Sequence, residues 1–172
     1  MEKLILRKPS KELEDRIWDY RQEYFDFGEK RINGSCGLHN YESFDEWLNI
    51  VLSLETEKQK DKASASTFFM LRESDNKVLG SVQLRHFLTP ELEKHGGHIG
   101  YSIRPSERQK GYGKQQLLLV LDVVKQMKIP EVMISCNKDN IASSKTIISC
   151  GGRLICENLY NNIPQQIFWV SL

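Results

Sequence analysis

The sequence predicts an α/β fold of one domain, residues 1–172, with helices flanking a mixed sheet whose N-terminal strands are antiparallel and whose central strands are parallel. Three observations predict it. From Gly97 to Cys136 the chain reads strand, sharp turn, long Leu/Val-rich helix and strand, and a crossover of that length joins parallel neighbours with a right-handed turn. The β-rich runs Thr67–Arg72 and Val78–His86 are separated only by the polar Glu73-Ser74-Asp75-Asn76-Lys77, the spacing of an antiparallel pair. A chain of 172 residues, 40% hydrophobic and 27% charged, can bury about two thirds of its extended surface as one domain.

Taken in order, Leu4–Lys8 is a strand stopped by Pro9. Ser10 offers an N-cap, and Leu13, Ile17, Tyr20, Tyr24 and Phe27 recur at helical spacing up to Gly28, a helix stop. Residues 31–41, broken by Gly34 and Gly37, read as an exposed loop. Ser43 followed by Glu46 is a capping box for a helix from Phe44, with Trp47, Leu48, Val51 and Leu54 on its apolar face. The charged run beyond Glu55 to Lys62, and on to Ser66, reads as a surface linker inside the domain.

In the second strand of the pair, Gly80 marks a bulge or a close approach by another group. Phe87–Gly97 is an insertion in which Pro90 allows at most an irregular helical turn. His98–Ile103 is the central strand, Gly111–Met127 the helix and Val132–Cys136 the returning strand after Pro130. Ala142–Ile148 is a short helix with a glycine stop at Gly151-Gly152. Leu154–Leu159 and Gln166–Val170 close the sheet around an Asn-rich turn, with Phe168 and Trp169 on opposite faces, one in the core and the other at an edge or interface.

Composition excludes several function classes. With 24 basic and 23 acidic residues there is no global field for nucleic acid, so any anion site must be local. No apolar run approaches the roughly 20 residues needed to cross a bilayer, and no signal-peptide core is present, so the expected location is cytoplasmic, with no membrane partner. The four cysteines and four histidines show no ligand spacing, so no metal is expected.

The local anion site is the turn itself. Gly111 and Gly113 let the backbone pass close to a bound group, Arg108, Lys110 and Lys114 surround it with positive charge, and the unpaired N–H groups of the first helical turn complete it. The motif Arg108-Gln109-Lys110-Gly111-Tyr112-Gly113-Lys114, directly after a strand ending in Arg104-Pro105, resembles the acyl-CoA pyrophosphate loop of the GCN5-related N-acetyltransferase (GNAT) superfamily. The run from Val78 to His86 resembles the second strand of that fold, and Asn140 followed by Ser143 and Ser144 resembles its pantetheine- and phosphate-contacting helix start. A dinucleotide site would need G-x-G-x-x-G with an acidic residue on the next strand, and a P-loop G-x-x-x-x-G-K-S/T; neither occurs.

The resemblance implies a GNAT-like domain over residues 1–172 that transfers acetyl from acetyl-CoA to a primary amine, of a small molecule or a peptide, by direct attack in a ternary complex. It implies that the backbone from Tyr101 to Ile103 holds the thioester, and it admits a homodimer through the C-terminal strands. Many family members carry a proton-donating Tyr four residues before the terminal glycine of the helix after the Asn; here that position is Ile147. His98, with a near-neutral reference pKa at the start of the central strand, is then the candidate base, with Tyr101 as the alternative, whereas Glu107 lies too close to the phosphate loop. The missing Tyr also leaves open a noncatalytic acyl-CoA-binding or sensing module. A phosphate- or nucleotide-binding protein is the third reading, against which the second CoA-like region at Asn140–Ser144 stands.

Overall fold

A computed structural model describes residues 2–56 and 62–172. The linker expected from Glu55 to Ser66 falls partly on residues 57–61, outside the described residues. The elements in order are β1 (Leu4–Arg7), α1 (Glu14–Asp26), α2 (Phe44–Thr56), β2 (Ala65–Arg72), β3 (Lys77–Arg85), α3 (Pro90–Lys94), β4 (Ile99–Ile103), α4 (Tyr112–Gln126), β5 (Glu131–Asn137), α5 (Ile141–Ser149), β6 (Arg153–Tyr160) and β7 (Ile163–Ser171). Local chemistry accounts for most of the boundaries. Gly28, at φ +77°, takes the left-handed conformation that ends the α1 segment. The Glu46 N–H donates to Ser43 Oγ at the start of α2, as the capping box requires. Thr89 caps the single turn of α3. Asn161 and Asn162, both at positive φ, make the tight reversal between β6 and β7.

The sheet departs from expectation. The strands form two sheets, ordered β1-β2-β3-β4 and β5-β7-β6. Every ladder among the described residues is antiparallel, so the expected parallel central strands are not formed. The helix α4 does join β4 to β5, but the two strands touch through an isolated bridge between Gly97 and Ile134. The reason lies at His98. Its backbone N–H donates to Met133 O, while its ring Nδ1 accepts the Met133 N–H that a ladder would give to a neighbouring strand. Beyond that clamp β4 keeps β3 on one side, β5 pairs instead with β7, and the facing edges of β4 and β5 stay apart.

Helices cover both faces of the larger sheet. The side toward α1 and α2 buries Tyr20, Tyr24, Trp47, Phe69 and Leu71 in one cluster. The opposite side packs Phe68, Val82, Leu84 and Ile99 against α4, α5 and the β5 face. This two-sided burial explains why β2 reads as a continuous apolar run rather than an alternation. Gly80 has both expected features. The register slips between Met70 and Leu71 opposite it, leaving Leu79 as the extra residue, and a Cβ at Gly80 would stand 2.1 Å from the Gln116 side-chain oxygen. Phe168 is fully buried, so it offers no surface to a second copy; Trp169 lies edge-on to the His98 ring.

Candidate active site

The turn between β4 and α4 is built as an anion cradle. Gln109 sits at φ +61° and Gly111 at φ +83°, turning the backbone outward before the helix starts at Tyr112. The first helical bond is Gln115 N–H to Gly111 O, so the N–H groups of Tyr112, Gly113 and Lys114 precede it. No protein acceptor among the described residues takes these, nor those of Gln109, Lys110 and Gly111. A Cβ at Gly111 would meet nothing within 4 Å, which leaves open space beside the amides.

The charges around the cradle are partly committed. Arg108 forks onto Glu29, donates from Nε to Ile103 O and lies over the Tyr24 ring, so it ties the loop after α1 to the end of β4. Lys110 pairs with Glu107, which also receives Lys77. Lys114 makes no ion pair among the described residues. Burial alone would push the Glu107 carboxyl up, but hydrogen bonds from Lys110 and Lys77 overcome it and hold it at about 2. A depressed carboxylate stabilises the fold above its ordinary value of 4.5 and loses that contribution as pH falls toward about 2. Glu107→Gln should therefore lower stability at pH 7 by roughly 1–2 kcal/mol, allowing for the exposed lysines. It should also flatten the loss of thermal stability between pH 5 and pH 2. Equal acid slopes in the two proteins would refute the assignment.

The turn opens into a cleft of about 540 Å³ between α4, β4 and the start of α5. Of the sequence-predicted cofactor residues, Ile103, Arg108, Gln109, Gly111, Tyr112, Gly113, Lys114, Asn140 and Ser143 line it. Lys110 and Ser144 do not. Thr146 and Ala142 line it as well, one helical turn and one residue from the motif positions that were legible. Asn140 caps α5 by accepting the Ser143 N–H at 3.1 Å. Ile147 turns the other way, fully buried, with its Cγ2 pressed against Gly152.

A second cleft, of about 650 Å³, lies on the other side of the gap between β4 and β5. The two share Arg31, Asn33, Tyr101, Asn140 and Ser143, so they meet where β4 and α5 face each other. Their common wall is held by hydroxyls. Ser81 and Ser102 both donate to Asn33 O, Tyr20 bonds both serines at 3.1 Å, and Tyr24 donates to Ile103 O at 2.8 Å. Gly34, at φ +73°, lets this loop press on the sheet: a Cβ there would stand 2.4 Å from Gly100 O.

At the junction Tyr101 Oη and Ser143 Oγ are 2.9 Å apart. Burial, opposed by that hydrogen bond, pushes the Tyr101 hydroxyl up to about 12, so it keeps its proton at neutral pH. The Arg104 N–H donates to Leu79 O on β3, and the period of two turns the Tyr101 and Ile103 N–H groups the opposite way, into the gap. His98 lines neither cleft. It is buried, its Nδ1 is taken by Met133, and burial together with the nearby Arg85 charge lowers its pKa. The second cleft also contains two residues that the sequence reading did not single out, Arg31 and Arg85, along with the thiols Cys36 and Cys136. Burial raises the pKa of both thiols. Among the described residues no cluster of three or more metal-ligating side chains occurs, and no helix is long and apolar enough to cross a membrane.

A family model described as an acetyltransferase (GNAT) domain matches residues 3–153. No curated protein matches the sequence significantly. Among solved structures, the ribosomal-protein-S5-alanine acetyltransferase from Vibrio fischeri superposes with a TM-score of 0.70 at 18% identity, over 99% of this chain and 94% of that one. The microcin C7 self-immunity acetyltransferase, solved with acetyl-CoA and AMP, gives 0.69 at 16% identity over 100% and 94%. A spermidine/spermine N-acetyltransferase from Vibrio cholerae gives 0.66 at 14% identity over 98% and 95%. At these identities the likeness is one of fold.

Proposed function

Because the chain belongs to the acetyltransferase (GNAT) domain family, whose members use acetyl-CoA, we propose that it transfers the acetyl group to a primary amine by direct attack in a ternary complex. The observation that carries this reading is the meeting of two clefts at Tyr101: one ends in the amide cradle, the other opens separately to the outside. Two substrates can thus reach one point from opposite sides, which is what direct attack needs.

The residues present fit acetyl-CoA. The N–H groups of the 109–114 turn and Lys114 match a diphosphate, and Asn140, Ser143 and Thr146 offer polar contacts along the cleft toward the gap. Acetyl-CoA supplies a thioester, the electrophile of the reaction. The Tyr101 and Ile103 N–H groups on the free edge of β4 would polarise its carbonyl. With Ile147 in the core, the Tyr101 hydroxyl, which its pKa of about 12 keeps protonated at neutral pH, would donate a hydrogen bond to the departing thiolate, whose proton comes from the attacking amine through solvent. The thiols of the second cleft are disfavoured as thiolates, which argues against an acetyl-enzyme route. His98 is here a positioning residue that holds β4 to β5 at one point.

Incubation with acetyl-CoA and a panel of primary amines, with mass detection of product and thiol release, tests the proposal. Acetylated amine formed without acetyl-protein is the expected result. Tight acetyl-CoA binding with no product from any amine class would replace transfer with an acyl-CoA-binding or sensing role.

A further inference from the structure

The second cleft carries two guanidinium groups, Arg31 and Arg85, and two imidazoles, His39 and His95, but no Asp or Glu side chain lines it. Arg85 is the informative one. It closes β3, where its N–H donates to His98 O. Its side chain then folds over a glycine-paved floor. Nη1 donates to Gly97 O at 3.0 Å, and both terminal nitrogens stand 4.0 Å from where a Cβ on Gly100 would be. It makes no ion pair among the described residues, and burial works against its charge. A guanidinium has five N–H donors, and one of them is used here.

The same protein shows what a buried structural arginine looks like. Arg104, at the end of β4, is also largely buried, yet it is held by both Asp19 and Glu23 and by Val78 O. A buried cation without such partners is costly unless something else neutralises it. In the cofactor cleft the carboxylates of Glu29 and Glu107 already have cationic partners. Among the described residues Lys114 is left unpaired there beside the amide cradle, but only the second of the two clefts has no carboxylate in its lining.

We propose that the amine acceptor carries an anionic group, a carboxylate or a phosphate, which Arg85 binds through its unused N–H donors in the second cleft. This rests on the acetyl-transfer reading and names its substrate class. The planar fork of Arg85 suits two oxygens of either group. Because the guanidinium lies over Gly100, next to Tyr101, the anionic group and the reacting amine are a few bonds apart in one molecule. A polyamine is disfavoured by the same chemistry, since its remaining ammonium groups would face two guanidinium groups and no carboxylate.

Matched pairs test this: alanine against alaninamide, phosphoethanolamine against ethanolamine, and spermidine as the polycation. Each amine is assayed with acetyl-CoA, and its binding to the CoA-loaded protein is measured by calorimetry. The charged member of at least one pair should be favoured at least tenfold in kcat/KM or in affinity, and which pair responds separates carboxylate from phosphate. The amide's amine loses its proton more readily than the amino acid's, so without an anion site alaninamide should win. Arg85→Gln should reduce the preference to within about twofold while CoA affinity is unchanged, and Arg85→Lys should keep part of it. Equal or better use by the wild type of the partners that lack the anionic group, or spermidine as the best acceptor, overturns the proposal, as does binding of none of these amines. Preferential binding of a charged amine with no acetylated product would support the anion site and overturn only the transfer reading.

Discussion

Gly113→Val should abolish measurable acetyl-CoA binding, a loss of more than about 100-fold, or at least about 2.7 kcal/mol, with the fold retained. The position is unusual in allowing that separation. Gly113 is not among the positive-φ glycines, and an added Cβ would sit 3.5 Å from Thr146 Oγ1 and 3.9 Å from Ile103 Cγ1, ordinary contacts. The added Cβ is therefore tolerated, and the valine methyls would occupy the floor of the 540 Å³ cleft beside the free amides. Gly111→Ala makes the contrasting control. Its φ of +83° strains any L side chain by roughly 1–2 kcal/mol, so stability should fall along with affinity. Arg108→Ala should cost less than tenfold in affinity, because its guanidinium is engaged with Glu29 and Ile103 O. Calorimetry beside thermal unfolding reads all three, and unchanged affinity in folded Gly113→Val would move the cofactor elsewhere.

Tyr101→Phe should lower kcat by about 100-fold, the usual size of a lost hydrogen-bond donor to charge that develops in the transition state, with acetyl-CoA affinity within twofold of wild type. The phenyl ring keeps the packing, so only the hydroxyl at the cleft junction is lost. His98→Ala should behave in the opposite way. It empties the acceptor of the Met133 N–H and lowers stability by roughly 1–3 kcal/mol, while the acidic limb of kcat/KM, set by the acceptor amine, persists. The wild type should itself lose stability below the ordinary imidazole range. The folded pKa of His98 is depressed, so protonation is linked to breaking the Met133 contact. Undiminished turnover in Tyr101→Phe would hand that hydrogen bond to another donor, and an acidic limb that disappears in His98→Ala would restore His98 as the base.

Where chemistry is local in the chain, the sequence was a good guide. The capping box at Ser43 and the single turn at Pro90 each depend on neighbours within a few residues, and the sharp turn at 109–111 follows from its own glycine. Family resemblance added Asn140 and Ser143, which the structure brings to the same cleft as the cradle. The parallel pairing failed because the crossover rule concerns connections, whereas the His98 imidazole takes the Met133 N–H on the side that faces β4, leaving β5 to pair with β7 alone. The surroundings of His98 escape the sequence for the same reason: its reference pKa is visible there, but the Met133 N–H that occupies its Nδ1 from 35 residues away is not. Arg85 gave no local signal beyond ending a strand. It is brought to the cleft by the antiparallel register that sets β3 against Gly100, and by the bare glycines across from it.

The distribution of the four thiols makes the protein its own occupancy gauge. Cys156 is exposed on the outer strand β6, whereas Cys36 and Cys136 line the second cleft, and burial raises the pKa of both. A mild alkylating reagent at neutral pH will mark Cys156 first, placing a fluorophore or spin label on the sheet edge without entering the clefts. Modification of Cys36 and Cys136, read by mass separately from the half-buried Cys150 outside that cleft, then becomes a slow clock whose rate reports whether the cleft is filled, so an unidentified acceptor could be recognised by the protection it confers before any product is seen.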